Sequence, residues 1–159
     1  MAQPKFIFPL EPLLDHRKRL EKDQIRIVFT IQQEANALIT TIQQAQLDIL
    51  EQNRLLTAQH LLGKLDMTYI AAEKRFVGNL QLLIAGTLQK LAEVDKRLGI
   101  AKAQLLILAR DRKVLEKLRE KKHQRWLAEL NRKEAEFLDE IGTQLALRKM
   151  LEEQSALTS

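Results

Sequence analysis

Three histidines, His16, His60 and His123, are the side chains best suited to move a proton or hold a metal, and each stands alone. None has a second histidine or a carboxylate at a ligand spacing such as HExxH. The chain has no cysteine, so it has no thiolate zinc site, redox couple or disulfide framework. Gly78 and Gly86 are isolated within helical sequence, and no glycine-rich phosphate loop occurs. These residues therefore predict no catalytic set, no metal site and no cofactor, and each histidine is expected to face solvent or a partner. A hairpin of long helices would also offer no concave pocket from which a reaction could exclude water.

The chemistry on offer is charge. The stretch "RDRKVLEKLREKKHQR", residues 110–125, carries Arg110, Arg112, Lys113, Lys117, Arg119, Lys121, Lys122 and Arg125 against Asp111, Glu116 and Glu120. Its net +5 equals the net charge of the whole chain. Charge this local speaks of a partner more than of solubility. The competing reading is a solvated face tied down by i,i+4 pairs, but the excess of cations is too large for self-neutralisation to be its main purpose. Trp126, the only tryptophan, follows directly. It is either a binding hot spot beside arginine or a plug against residues around Leu10–Leu14.

Helices must position these groups. All three prolines lie at or before position 12, and the remainder is rich in strong helix formers with only 4% aromatic residues. Two segments keep a strict alternation of three and four. The first runs Val28, Ile31, Ala35, Leu38, Ile42, Ala45, Ile49. The second runs Ile84, Thr87, Leu91, Val94, Leu98, Ala101, Leu105, Leu108, with Thr87 as its one polar member. Such spacing builds the narrow seam of paired helices. Two amphipathic helices of an ordinary bundle are the alternative.

Between the segments lies "LLGKLDMTYI", where Gly63 can end a helix in the left-handed conformation and Asp66 or Thr68 can cap the next. A turn near residues 66–70 would put Val28 opposite Leu108 and Ile49 opposite a position between Ile84 and Leu91. The predicted fold is all-α: a long antiparallel two-helix coiled-coil hairpin, with short extra helices possible near the tip. Residues 1–12 form an extended lead-in, about 13–62 the first arm, about 63–75 the turn, about 76–150 the second arm and 151–159 a frayed tail. Arms of about 50 residues would be roughly 75 Å long.

The same register sets Phe6 and Phe8 opposite Phe137 and Ile141 as an apolar clasp. It also sets Arg17, Lys18, Arg19, Lys22 and Arg26 beside the basic run, so that the open end carries a net +7. Extending the second seam gives Arg112, Leu115, Arg119, Lys122 and Trp126. Stacked cations cannot be buried without partners, so either the register slips to follow Val114 and Leu118 or the helices splay. Both outcomes turn the charge outward. Near the tip Phe76, Val77, Leu80, Leu82, Leu83, Ile84 and Leu88 exceed one seam, and a short helix from residues 57–75 or another protein is expected to cover them. "FIFPL" is too short for a signal peptide, no run suits a transmembrane helix, and the chain reads as cytosolic.

The opening "KFIFPLEPLLDHRKRLEKDQ" resembles the amino terminus of FliJ-type flagellar export proteins, and "RDRKVLEKLREKKHQRWLAELNRKEAEFLDEIG" resembles that family's second helix. Together these stretches cover about a third of the chain. Pro9 and Pro12 make the lead-in more rigid than the family pattern needs, and the tip has no matching motif. The resemblance implies an antiparallel coiled coil like the shaft of the rotary ATPase gamma subunit, shared with injectisome stalk proteins of the YscO type.

The implied partners are the flagellar export ATPase ring (FliI-like), the membrane export gate (FlhA-like) and export chaperones. The implied location is the cytoplasmic face of the inner membrane, without a transmembrane segment. On that basis Arg17, Arg19, Lys22, Arg112, Lys113, Arg119, Lys122 and Arg125 are the expected ring contacts, and Phe76, Leu80 and Leu83 the expected gate contacts. The rival is a nucleic-acid-binding coiled coil using the same arginines on phosphates. Against it, basic-region dimers keep the basic segment clear of the zipper on an uninterrupted helix. A plain scaffold would leave the cationic end without a purpose.

Overall fold

The computed structural model describes residues 4–63 and 66–159. Among them are two helices, α1 (Glu11–Leu61) and α2 (Met67–Leu157), packed against each other as an antiparallel helical hairpin, with no strand. The helix starts follow from sequence. Pro12 falls in the first turn of α1, where its missing N–H costs nothing and its fixed φ suits the helix. The Glu11 N–H donates to the Phe8 carbonyl (3.1 Å) and the Leu14 N–H to Leu10 (2.9 Å), which tightens the entry.

At the other end Gly63 adopts φ 69°, and its N–H donates to the His60 carbonyl at 3.1 Å, the left-handed termination anticipated for it. The Asp66 carboxylate then accepts from the Thr68 N–H at 3.1 Å and caps α2. Lys64 and Leu65, part of the anticipated turn, lie outside the described residues. Two expectations change. No third helix forms among the described residues, because residues 57–61 continue α1 and α2 begins at Met67. Residues 151–157 are helical rather than frayed.

The helices divide into two compact units, 18–110 and 1–17 with 111–159. In the first, both anticipated seams are present residue by residue. Ala35, Ile42, Ala45, Val94, Leu98, Ala101 and Thr87 are buried, while Val28, Ile31, Leu38, Leu91, Leu105 and Leu108 are half-buried. Thr87 is tolerated in the seam because its hydroxyl donates to the Leu83 carbonyl of its own helix (2.7 Å), leaving no unmet polar atom.

The register differs from expectation by about eight residues, slightly over two helical turns. Gln24, buried, donates its amide to the Ala101 carbonyl (3.0 Å) and the Gln104 side chain (3.4 Å), and Arg97 pairs with Glu34. Val28 therefore belongs near residue 100, not opposite Leu108. The reason is local: Gly63 and the Asp66 cap place the turn earlier than the assumed 66–70. Seam periodicity alone could not show this, since sliding by one heptad preserves it.

Gly86 and Gly99 sit inside α2, and a Cβ at either would meet no atom within 4 Å. Gly86→Ala and Gly99→Ala will each stabilise the chain by about 0.5–1 kcal/mol, because alanine restricts the unfolded chain without strain in the helix. Denaturant midpoints test this, and an unchanged or lower midpoint would refute it.

Candidate functional site

In the unit formed by 1–17 and 111–159, the amino-terminal residues lie along the basic part of α2. Phe8 and Leu14 are buried, Leu14 with 1% exposure. Phe6 meets His123 edge-on (ring centroids 4.9 Å) and Trp126 at 5.8 Å, and His123 stacks on Trp126 at 5.9 Å. The apolar clasp exists, but its partners are not Phe137 and Ile141, which are exposed. Trp126 is half-buried as a plug, set against Phe6 instead of Leu10–Leu14. The Trp126 correction follows from the shifted register.

The heptad phase holds in most layers: Val114 is 66% exposed, whereas Arg112, Leu115, Lys122 and Trp126 are half-buried at the positions the arithmetic assigns. The anticipated slip is seen in one layer, where Leu118 is half-buried and Arg119 exposed. The cations are tolerated because the same unit supplies counter-groups. Arg112, its side chain 23% exposed, pairs with Glu116 at 2.8 Å. Arg119 donates from Nε to Glu11 at 2.8 Å, Arg17 pairs with Asp111 at 3.3 Å, and Lys122 Nζ lies 5.9 Å from the Phe8 ring centre. Arg17, Arg112, Arg119 and Lys122, all anticipated ring contacts, are thus engaged inside the unit.

Lys113 and Arg125 are exposed on α2; Arg19 and Lys22 are exposed too but belong to the unit 18–110. Sequence reasoning passed over two residues that complete the outward face. Lys117 and Lys121 are exposed and follow Lys113 at i+4 and i+8, so the three ammonium groups share one ridge. Like charges at i,i+4 repel by a few tenths of a kcal/mol per pair. The spacing was the available signal, hidden among cations that turn inward.

Near the turn, in the unit 18–110, Phe76 (44% exposed) and Leu83 (48% exposed) lie seven residues apart on one side of α2, while Leu80 is half-buried at the seam. Leu80 and Leu83 line a groove of about 320 Å³ with Thr40, Thr41, Ala45 and Asp48. A second groove of about 360 Å³ lies beside Gln52, Leu56, Val77 and Gly78, where the missing glycine side chain leaves room. Neither groove is lined by a cluster of catalytic groups. On the same arm Arg54 reaches the Glu51 carboxylate (2.8 and 3.1 Å) and holds its pKa below the ordinary value, chiefly through that hydrogen bond. Among the described residues no group of His, Asp or Glu could hold a metal ion, and no helix is long and apolar enough to cross a membrane.

Two long packed helices with heptad seams, a charged ridge and an apolar flank define a protein of the helical-hairpin, coiled-coil class. The chain belongs to the FliJ family: the family model for the flagellar FliJ protein matches residues 6–151, nearly its whole length. Membership implies a role in flagellar protein export, with partners in the export apparatus, and the family is not a known enzyme family. No curated protein and no solved structure matches the chain.

Proposed function

We propose that this chain is a non-enzymatic stalk and escort of the flagellar export machinery, seated in the export ATPase ring through its basic unit. The supporting observation is the ridge of Lys113, Lys117 and Lys121, which remains exposed while Arg17, Arg112 and Arg119 meet carboxylates of their own unit. Exposed, repeated cations suit acidic loops displayed by several identical ring subunits, since they steer and hold without a deep apolar lock. Arg19, Lys22 and Arg125 are exposed supplementary contacts. The Phe76 and Leu83 face, with Leu80 behind it, is the surface offered to the membrane export gate. Export chaperones are the third class of partner, and the working location is the cytoplasmic face of the inner membrane.

The test is ATP hydrolysis and ring assembly by the cognate export ATPase, with and without the chain, over a salt titration. Stimulation should be strong at low salt and fall as ionic strength shortens the Debye length from roughly 10 Å at 0.1 M towards 3 Å at 1 M. No binding and no stimulation at low salt would end the stalk reading. Binding of duplex DNA under those same conditions would put the phosphate-binding alternative in its place.

A further inference from the structure

Among the described residues no helix lies beside α2 beyond residue 130, and every residue from 131 to 157 is exposed. Local ion pairs such as Arg132–Glu136 (3.6 Å) give the helix there only weak support. Yet this stretch is not uniformly polar. Leu138, Ile141 and Leu145 step by four after a step of three, Phe137 and Leu151 flank them, and all five are exposed. That is the spacing of a coiled-coil seam without its second helix.

The charges say which helix would fit. Along the chain they fall in blocks of alternating sign: Arg132 and Lys133, then four acids from Glu134 to Glu140, then Arg148 and Lys149, then Glu152 and Glu153. In a parallel, in-register pair every block would face its own sign. Reversed about Thr143, the blocks become complementary. Lys133 meets Glu153 of a second copy, and Arg148 and Lys149 fall between its Glu136 and Asp139. The same reversal sets Ile141 against Leu145, so the centre of the apolar strip and the charged blocks share one register. Glu134 opposite Glu152 is the one like-signed layer, which keeps the pair weak and reversible.

We propose that residues 131–157 form a self-docking surface on which two copies of this chain associate antiparallel, centred on Thr143. Sedimentation velocity of the full chain should show a concentration-dependent dimer, and Ile141→Asp should raise its dissociation constant at least 10-fold at unchanged helical circular dichroism. Because the chain has no cysteine, single replacements report the direction of pairing. Ala135→Cys and Leu151→Cys chains, whose replaced positions face each other about Thr143, should cross-link when mixed and not when kept apart. Arg148→Glu with Lys149→Glu should weaken the dimer, and adding Glu136→Lys with Asp139→Lys should restore it. A chain monomeric at every concentration, a dimer indifferent to Ile141→Asp, or cross-linking of each cysteine chain with itself would overturn the proposal. None of these results depends on the export ATPase.

Discussion

A chain carrying Lys113→Glu, Lys117→Glu and Lys121→Glu will fold with undiminished helicity and lose at least 10-fold of its stimulation of the export ATPase. All three side chains are exposed on one ridge of α2, so their reversal exchanges one set of weak like-charge repulsions for another and removes no packing. The comparison variant is Arg112→Glu with Arg119→Glu, which acts differently. It turns Arg119's pair with Glu11 and Arg112's pair with Glu116 into repulsions. Loss of each part-exposed pair costs up to about 1 kcal/mol, and the facing carboxylates add to it. That variant should therefore lower the melting temperature as well as the activity. If the triple variant stimulates the ATPase normally while the double variant does not, the ridge is not the ring contact.

Leu14→Ala will destabilise the unit formed by 1–17 and 111–159 by about 2–4 kcal/mol, the usual cost of truncating a fully buried leucine. Among the described residues Leu14 is the only large side chain below 2% exposure, and it stands in the first turn of α1, which begins at Glu11. Without it Phe6, Phe8 and Glu11 lose the anchor that keeps them on α2. Trp126, stacked on His123 and near Phe6, reports the loss as a fluorescence change at a denaturant concentration that leaves 18–110 folded. Amide exchange should accelerate in residues 6–17 and 111–126. Leu13→Ala, at a position 40% exposed, should change stability by about 0.5 kcal/mol or less. Equal losses at both positions would refute the assignment.

The seams were legible because burial in a two-helix structure follows a single periodicity, and no other element competes for the apolar residues. The continuation through Arg112 and Lys122 was legible too, yet stacked cations argued for a slip, which occurs only where Leu118 replaces Arg119. Glu11 and Phe8 removed that objection from far away in sequence, and only the register could reveal it. The register itself was hidden, because a heptad repeat is indifferent to a slide of seven residues. The fixing contact, Gln24 to the Ala101 carbonyl, is one polar side chain whose sequence looks like any exposed glutamine. Lys117 and Lys121 were visible as charges, but which of eight cations face outward depends on helical phase against a partner. The residues proposed to face the gate were sorted for the same reason: Leu80 belongs to the seam that Phe76 and Leu83 flank.

The Gln24 bond has a mechanical meaning. In the unit 18–110 two smooth apolar strips could glide along each other at little cost, as alanine and isoleucine layers exchange neighbours. Gln24 gripping the Ala101 carbonyl, with Arg97 hooked on Glu34, acts as a pawl against that glide. A push delivered to one helix is passed to the other instead of being dissipated as slip. Gln24→Leu would leave the rod at least as stable and make it a poorer transmitter of force.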